Sequence, residues 1–186
     1  MTGRYDMWDQ GEEVTVKVPR SGGENVMVPV IRAIARSVRD LELVILQRRD
    51  DPSESVRGAY EIPGGRWRAG EDPIDAIGRE LGEETGLVLE RVEGIDVDRI
   101  DERRAIASVS PLVVVAGVDG AFPALHVVLV ADVSGEPRSL PGESADVRWW
   151  HIEDLRRAMD RDRGAFVPST FAALTAYLAR WDSLGH

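Results

Sequence analysis

The chain of 186 residues is 43% hydrophobic and 30% charged, the balance of an ordinary globular domain long enough to bury a real core. Its net charge of −10 excludes a general nucleic-acid surface, which would be basic, and the absence of cysteine removes disulfides, thiolate nucleophiles and cysteine-type zinc sites. No apolar run is long enough to span a bilayer and the N-terminus lacks the basic and apolar regions of a signal peptide, so a cytoplasmic location without a membrane partner is expected.

Residues 1–25 are polar and acidic around Tyr5 and Trp8 and read as an N-terminal extension to a domain over 26–186. Within the extension, the alternation Val14-Thr15-Val16-Lys17-Val18 predicts a strand. An exposed strand offers an edge to a second copy, which leaves a homodimer open. Apolar runs at 26–34 and 41–46 flank the turn-like Arg39-Asp40 and predict a hairpin. A polar loop from Asp50 to Gly58 follows, then Tyr60-Glu61-Ile62, a strand breaking into Pro63-Gly64-Gly65.

Asp72-Pro73 opens the clearest helix. Asp72 suits the N-cap, Pro73 the first helical position, and Asp75 the positive end of the dipole. The helix is expected to run to Thr85, with Gly86 as a left-handed cap and Leu87 folding back on Leu81. Strand-like segments follow at 88–100, 105–116, 125–133 and, after Pro141-Gly142, 147–152. The closing TFAALTAYLARW has helical spacing at Phe171, Leu174, Leu178 and Trp181. Mixed strands with two or three helices predict a layered α/β domain.

At 100° per residue, Ile74, Ile77 and Leu81 form a core stripe on the capped helix, with Glu80 and Glu84 beside it and Glu83 further round. Carboxylates at that margin repel through poorly screened surroundings, and Arg79 is expected to neutralise only one. Three glutamates so close usually make a solvated helix face. Here the upstream Gly64-Gly65 can bring backbone close to a ligand, and oxygen-only donors suit a hard cation such as magnesium or manganese.

The stretch GRWRAGEDPIDAIGRELGEETGL, with Gly65, Glu71, Arg79, Glu80, Leu81, Glu83, Glu84, Gly86 and Leu87 in register, resembles the Nudix box, and the chain is similar to Nudix hydrolases of the MutT type. That resemblance implies an α/β/α sandwich with a mixed sheet. It also implies metal-dependent hydrolysis of a phosphoanhydride in a nucleoside diphosphate linked to another group. By position, Glu83 and Glu84 would ligate Mg2+ (or Mn2+), the Gly64 carbonyl would add a ligand, and Glu80 would be a ligand or the base that activates water. Arg79 would orient a glutamate of the cluster and Glu71 would brace the loop.

Many members of that family place a further acidic residue on a facing loop, and PGESADVRWW offers Glu143 first and Asp146 second. Arg48, Arg57, Arg66 and Arg68, with Arg49, form a local basic group suited to substrate phosphates in an otherwise acidic chain. Trp67 and Tyr60 read as packing residues or a platform for a base, one of Trp149 and Trp150 as core, and His126 as a structural histidine. The expected substrate is a nucleoside triphosphate or related nucleotide. ADP-ribose or a nucleotide sugar is the alternative, as is a nucleotide sensor without turnover. Enzymes for ADP-ribose commonly carry a proline after the box at a position that falls near Arg103 here, whereas the next proline is Pro111. An isoprenoid diphosphate isomerase would need a cysteine.

Overall fold

In the computed structural model, which describes residues 6–9, 12–15, 27–49, 56–99, 105–117, 123–140 and 144–185, the chain opens on an antiparallel pair, β1 (Asp6–Asp9) and β2 (Glu12–Thr15). The strand expected over 14–18 is therefore the end of β2, its remainder lying outside the described residues. Next come β3 (Val28–Ser37) and β4 (Leu43–Arg49), the expected hairpin. The two pair at Arg36 and Val44, and beyond that point they separate. Two short strands then occupy the separated edges: β5 (Tyr60–Glu61) pairs with β4 and β6 (Gly64–Arg66) with β3.

After α1 (Pro73–Thr85) come β7 (Val88–Val92) and β8 (Ile95–Arg99), then β9 (Ala105–Val109) and β10 (Val113–Gly117). Each of the long strands read from the sequence at 88–100 and 105–116 is thus two. Gly94, with φ of 74°, turns the first, and Ser110-Pro111 interrupts the second. The chain ends with β11 (Ala124–Ser134), β12 (Ser144–His151), α2 (Ile152–Arg161), a short 3-10 turn (Arg163–Ala165) and α3 (Pro168–Ser183). Position 152 begins α2 rather than ending a strand. His151 caps that helix by accepting from the Glu153 N–H, and Ile152, Leu155, Ala158 and Met159 supply its buried face.

The main sheet runs β10-β11-β3-β4-β12 and is mixed, because β11 lies parallel to β3 while its other pairings are antiparallel. Alternation along β3 and β4 divides the core. Ile34, Val44 and Leu46 face α2 and α3, where Leu155, Leu174, Tyr177 and Trp181 cover them. Ile31, Ala33, Ala35 and Ile45 face the opposite way, onto Ala76, Ile77 and Leu81 of α1. The result is the expected α/β sandwich. Burying Ile77 and Leu81, both almost fully sequestered, contributes about 1.5–3 kcal/mol each. Ile74 does not join them: it is 40% exposed in the first turn, and the buried arc is rotated towards Ala76 and Glu80. Glu80 consequently lies within the packed face rather than beside it, with Glu84 partly buried next to it and Glu83 exposed.

Candidate active site at the glycine pair and the acidic face of α1

Local chemistry places α1. The Asp72 side chain accepts from the Ile74 N–H at 2.8 Å, and Gly86 closes the helix in the left-handed region with its N–H on the Gly82 carbonyl. Ahead of it, β6 brings its glycines against β3 and α1. Gly64 has φ of 133°, and a Cβ there would lie 2.6 Å from the Arg32 Cα; a Cβ on Gly65 would lie 2.6 Å from both carboxylate oxygens of Glu80. At Gly64 only a bare backbone fits against β3, and at Gly65 any side chain would displace the Glu80 carboxylate.

Glu80 is 9% exposed, and its carboxyl is shifted upward by burial, with Arg79 opposing and Glu83 adding to the shift. Glu84 accepts from the Gly64 N–H at 2.8 Å and from Gln47 Nε2 at 2.9 Å, both on Oε2. Burial nevertheless pushes its carboxyl up to about 7, because the Gly64 N–H and the Arg32 charge only partly offset desolvation, and Glu61 and Glu80 repel it. Glu83 is half exposed at its side chain, 51%. The helix therefore carries two desolvated carboxylates one turn apart and a third at the solvent rim.

One guanidinium holds the arrangement together. Arg79 grips Glu71 bidentately through Nε (2.7 Å) and Nη2 (3.1 Å), and its Nη1 reaches both Glu80 (2.6 Å) and Glu83 (3.1 Å). Nη2 also donates to the Arg66 carbonyl at 3.3 Å. This corrects the expectation that Arg79 serves a single carboxylate: a planar fork with several donors spans three. The hydrogen bond from Arg79, aided by the Arg68 N–H, holds Glu71 below its ordinary range despite burial.

Where β3 and β4 separate, a polar layer lies alongside Glu84. Arg32 of β3, 6% exposed, donates to Glu61 (3.3 Å) and to the Ile62 carbonyl (2.7 Å), and Arg49 of β4 donates to the same Glu61 oxygen at 2.7 Å. His126 is half-buried near these groups; burial first, then the charges of Arg32 and Arg49, lowers it to about 4, so it is neutral at physiological pH. Sequence reading missed Arg32, Gln47 and Glu61. The available signal was polar residues within apolar strand runs, which a folded chain retains only with partners.

The other candidates are distributed unevenly. Arg66 and Arg68 are exposed on the loop between Gly65 and α1, and Arg57 is exposed in the turn before β5. Arg48 belongs to a different cluster, on the face that packs α2 and α3. It donates to Tyr60 Oη (2.5 Å), to the Gly58 carbonyl and to Asp146 (3.0 Å), and lies 3.9 Å from the centre of the Tyr60 ring. Arg148 donates to the same hydroxyl at 2.6 Å and stacks over Trp150 at 4.6 Å. Tyr60 is buried and Trp67 donates to the Glu71 carbonyl at 3.0 Å, so both pack rather than offer a free ring. Trp150 borders the α2/α3 core and Trp149 the α1 core. Asp146 sits at a bulge of β12 with φ of 48° and faces Arg48 and Arg148. Glu143 lies outside the described residues. The next residue, Ser144, donates from its hydroxyl to the Glu84 carbonyl.

Glu80, Glu83 and Glu84 offer oxygen donors only, two of them desolvated against a glycine backbone, a donor set that fits a hard divalent ion. Among the described residues, no three acidic or histidine side chains already converge on one point, because Arg79, Gly64 and Gln47 hold these carboxylates.

A profile of the NUDIX domain matches residues 27–170. In structure, the chain is similar to a MutT NUDIX hydrolase from Burkholderia pseudomallei (26% identity, TM-score 0.56, covering 80% of this chain and 97% of that one). It is also similar to the ORF135 protein of E. coli (19%, TM-score 0.57, 82% and 89%). A third likeness is to the NUDIX domain of Shewanella oneidensis NrtR, solved with ADP ribose (17%, TM-score 0.61, 85% and 90%). The latter two show the fold. No curated protein matches in sequence.

Proposed function

The chain belongs to the NUDIX domain family as one of its pyrophosphohydrolases, and from that premise we propose that it hydrolyses a phosphoanhydride of a nucleoside triphosphate or related nucleotide with magnesium or manganese. The observation that carries this reading is the pair of buried carboxylates, Glu80 and Glu84, pressed against Gly65 and Gly64. Two anions desolvated one turn apart are costly without a cation, and their donor atoms are those a hard cation takes.

Glu80, Glu83 and Glu84 would hold the ion, with the Gly64 carbonyl as a further ligand. A divalent ion bound there supplies charge neutralisation to phosphate oxygens and lowers the pKa of a coordinated water. Glu80, shifted upward by burial, is suited to accept the proton of the attacking water. Arg79 and Glu71 fix the loop to the helix and keep Glu80 and Glu83 aligned. Arg66, Arg68 and Arg57, exposed around the glycine loop, are our assignment for the substrate phosphates. Arg48 is committed to Tyr60 and Asp146, so we remove it from that set. Asp146, tied to arginines, leaves Glu143 as our choice for the remote acid. Turnover is favoured over sensing because every carboxylate of the box is present.

The test is a panel of nucleoside triphosphates, dinucleoside polyphosphates, ADP-ribose and nucleotide sugars with Mg2+, with products identified by 31P NMR. Release of pyrophosphate or phosphate from a nucleoside triphosphate supports the proposal. Turnover restricted to ADP-ribose or sugar nucleotides would replace the substrate class, and binding without turnover would favour a sensor.

A further inference from the structure

We propose that Gln47 is a positioning residue that fixes which oxygen of Glu84 is presented to the cation, an inference that rests on the metal-dependent reading above. Gln47 is completely buried on β4, on the α1 side of the sheet next to the apolar Ile45. A hydrocarbon would fill that space. Instead there is an amide whose Oε1 has no hydrogen-bond partner among the described residues, which is unfavourable to the fold. The reason for the amide therefore lies at its other end.

There Nε2 donates to Glu84 Oε2 at 2.9 Å, and the Gly64 N–H donates to the same oxygen at 2.8 Å. The two donors come from different strands, β4 and β6, which flank the gap opened where β3 and β4 separate. Together they occupy Oε2 and stop the carboxylate from turning, so Oε1 is the oxygen left for a ligand. The amide orientation is not arbitrary. With Glu84 ionised, as a metal ligand must be, turning the amide by half a revolution would set its oxygen against the carboxylate, so the N–H end is held towards Glu84. Gly64 is fixed by the lack of room for any Cβ, which leaves Gln47 as the adjustable half of the clamp. Hydrogen-bond partners of metal-ligating carboxylates typically change metal affinity by roughly 10–100-fold when removed.

The experiment is Mn2+ binding, followed by loss of the free-ion EPR signal, in the wild-type chain and in Gln47→Leu and Gln47→Met. Leucine fills the site without a donor, and methionine does so while keeping the length of the side chain, so a failure of one to fold leaves the other. The expected result is Mn2+ affinity weakened by about tenfold or more, with the Mg2+ concentration for half-maximal turnover raised by a similar factor. The deficit in turnover should shrink as Mg2+ is raised towards saturation, a dependence on metal concentration that a merely structural defect would not produce. Affinity within about twofold of wild type in a folded variant overturns the inference. If wild-type protein itself neither binds Mn2+ nor turns over any nucleotide, the metal-dependent reading fails and takes this inference with it. If wild type does both and the variants match it, only the role of Gln47 falls.

Discussion

Glu84→Gln should make the metal-free protein more stable at pH 8 while removing its activity. The Glu84 carboxyl rises from 4.5 to about 7 on folding, mainly through burial. A group raised in this way contributes fully below its unfolded pKa and loses that contribution as pH climbs through the folded one. The loss runs from about pH 4.5 to 7 and is constant above. At 1.36 kcal/mol per unit, the ionised carboxylate costs about 3 kcal/mol at pH 8 relative to a neutral residue. Glutamine can satisfy the site: its oxygen, in the place of Glu84 Oε2, accepts from the Gly64 N–H and from Gln47 Nε2. For a chain of this length, that gain corresponds to a rise in Tm of roughly 6–12 °C. The assay is thermal unfolding in EDTA at pH 5 and pH 8, repeated with excess Mg2+. The difference should be large at pH 8, small at pH 5, and narrowed at pH 8 when Mg2+ stabilises only the wild type. A variant no more stable than wild type at pH 8 in EDTA would show that Glu84 is not desolvated, and the reasoning about its role would fail.

Gly65→Ala places a methyl 2.6 Å from both Glu80 oxygens and should lower kcat by at least about a hundredfold with only a modest fall in Tm, measured by nucleotide hydrolysis and calorimetry. Arg79→Lys cannot reproduce the fork that spans Glu71, Glu80 and Glu83 and should reduce kcat/KM by about tenfold or more. Far from the site, Arg36 bridges Asp132 and Glu93, both at 2.5 Å. Burial acts to raise Asp132 and Glu93, but Arg36, with Arg91 and Arg180, outweighs it and holds both low. That stability is present above about pH 4 and lost as pH falls through the depressed values. Asp132→Asn should therefore cost about 1–3 kcal/mol at pH 7 in urea unfolding, with the difference shrinking as pH falls below about 4.

The acidic helix was legible because its signals are local: Asp72, Pro73 and Gly86 act on their own backbone, and the structure places all three where the sequence put them. The hairpin of β3 and β4 and the two-faced α/β architecture were legible for the same reason, through alternation and turn residues. Helix α2 was not. Its ten residues are dense in charge, and its cap is a histidine, a weaker signal than Asp or Ser. Ile74 was misplaced because a helical wheel gives the direction of a stripe and not where the partner sheet ends. Arg48 and Arg49 are adjacent in sequence, yet strand alternation sends them to different partners, Tyr60 and Glu61. Gln47 became visible only once Glu84 lay against it, a contact across 37 positions that no local pattern encodes.

The most direct measurement is a crystal soaked with manganese and examined at its anomalous edge. Manganese is expected against the Glu80 and Glu84 carboxylates, facing the Gly64-Gly65 backbone, and is expected to disappear in Glu84→Gln. Manganese bound only at exposed carboxylates elsewhere, with those two side chains unaltered, would contradict this assignment.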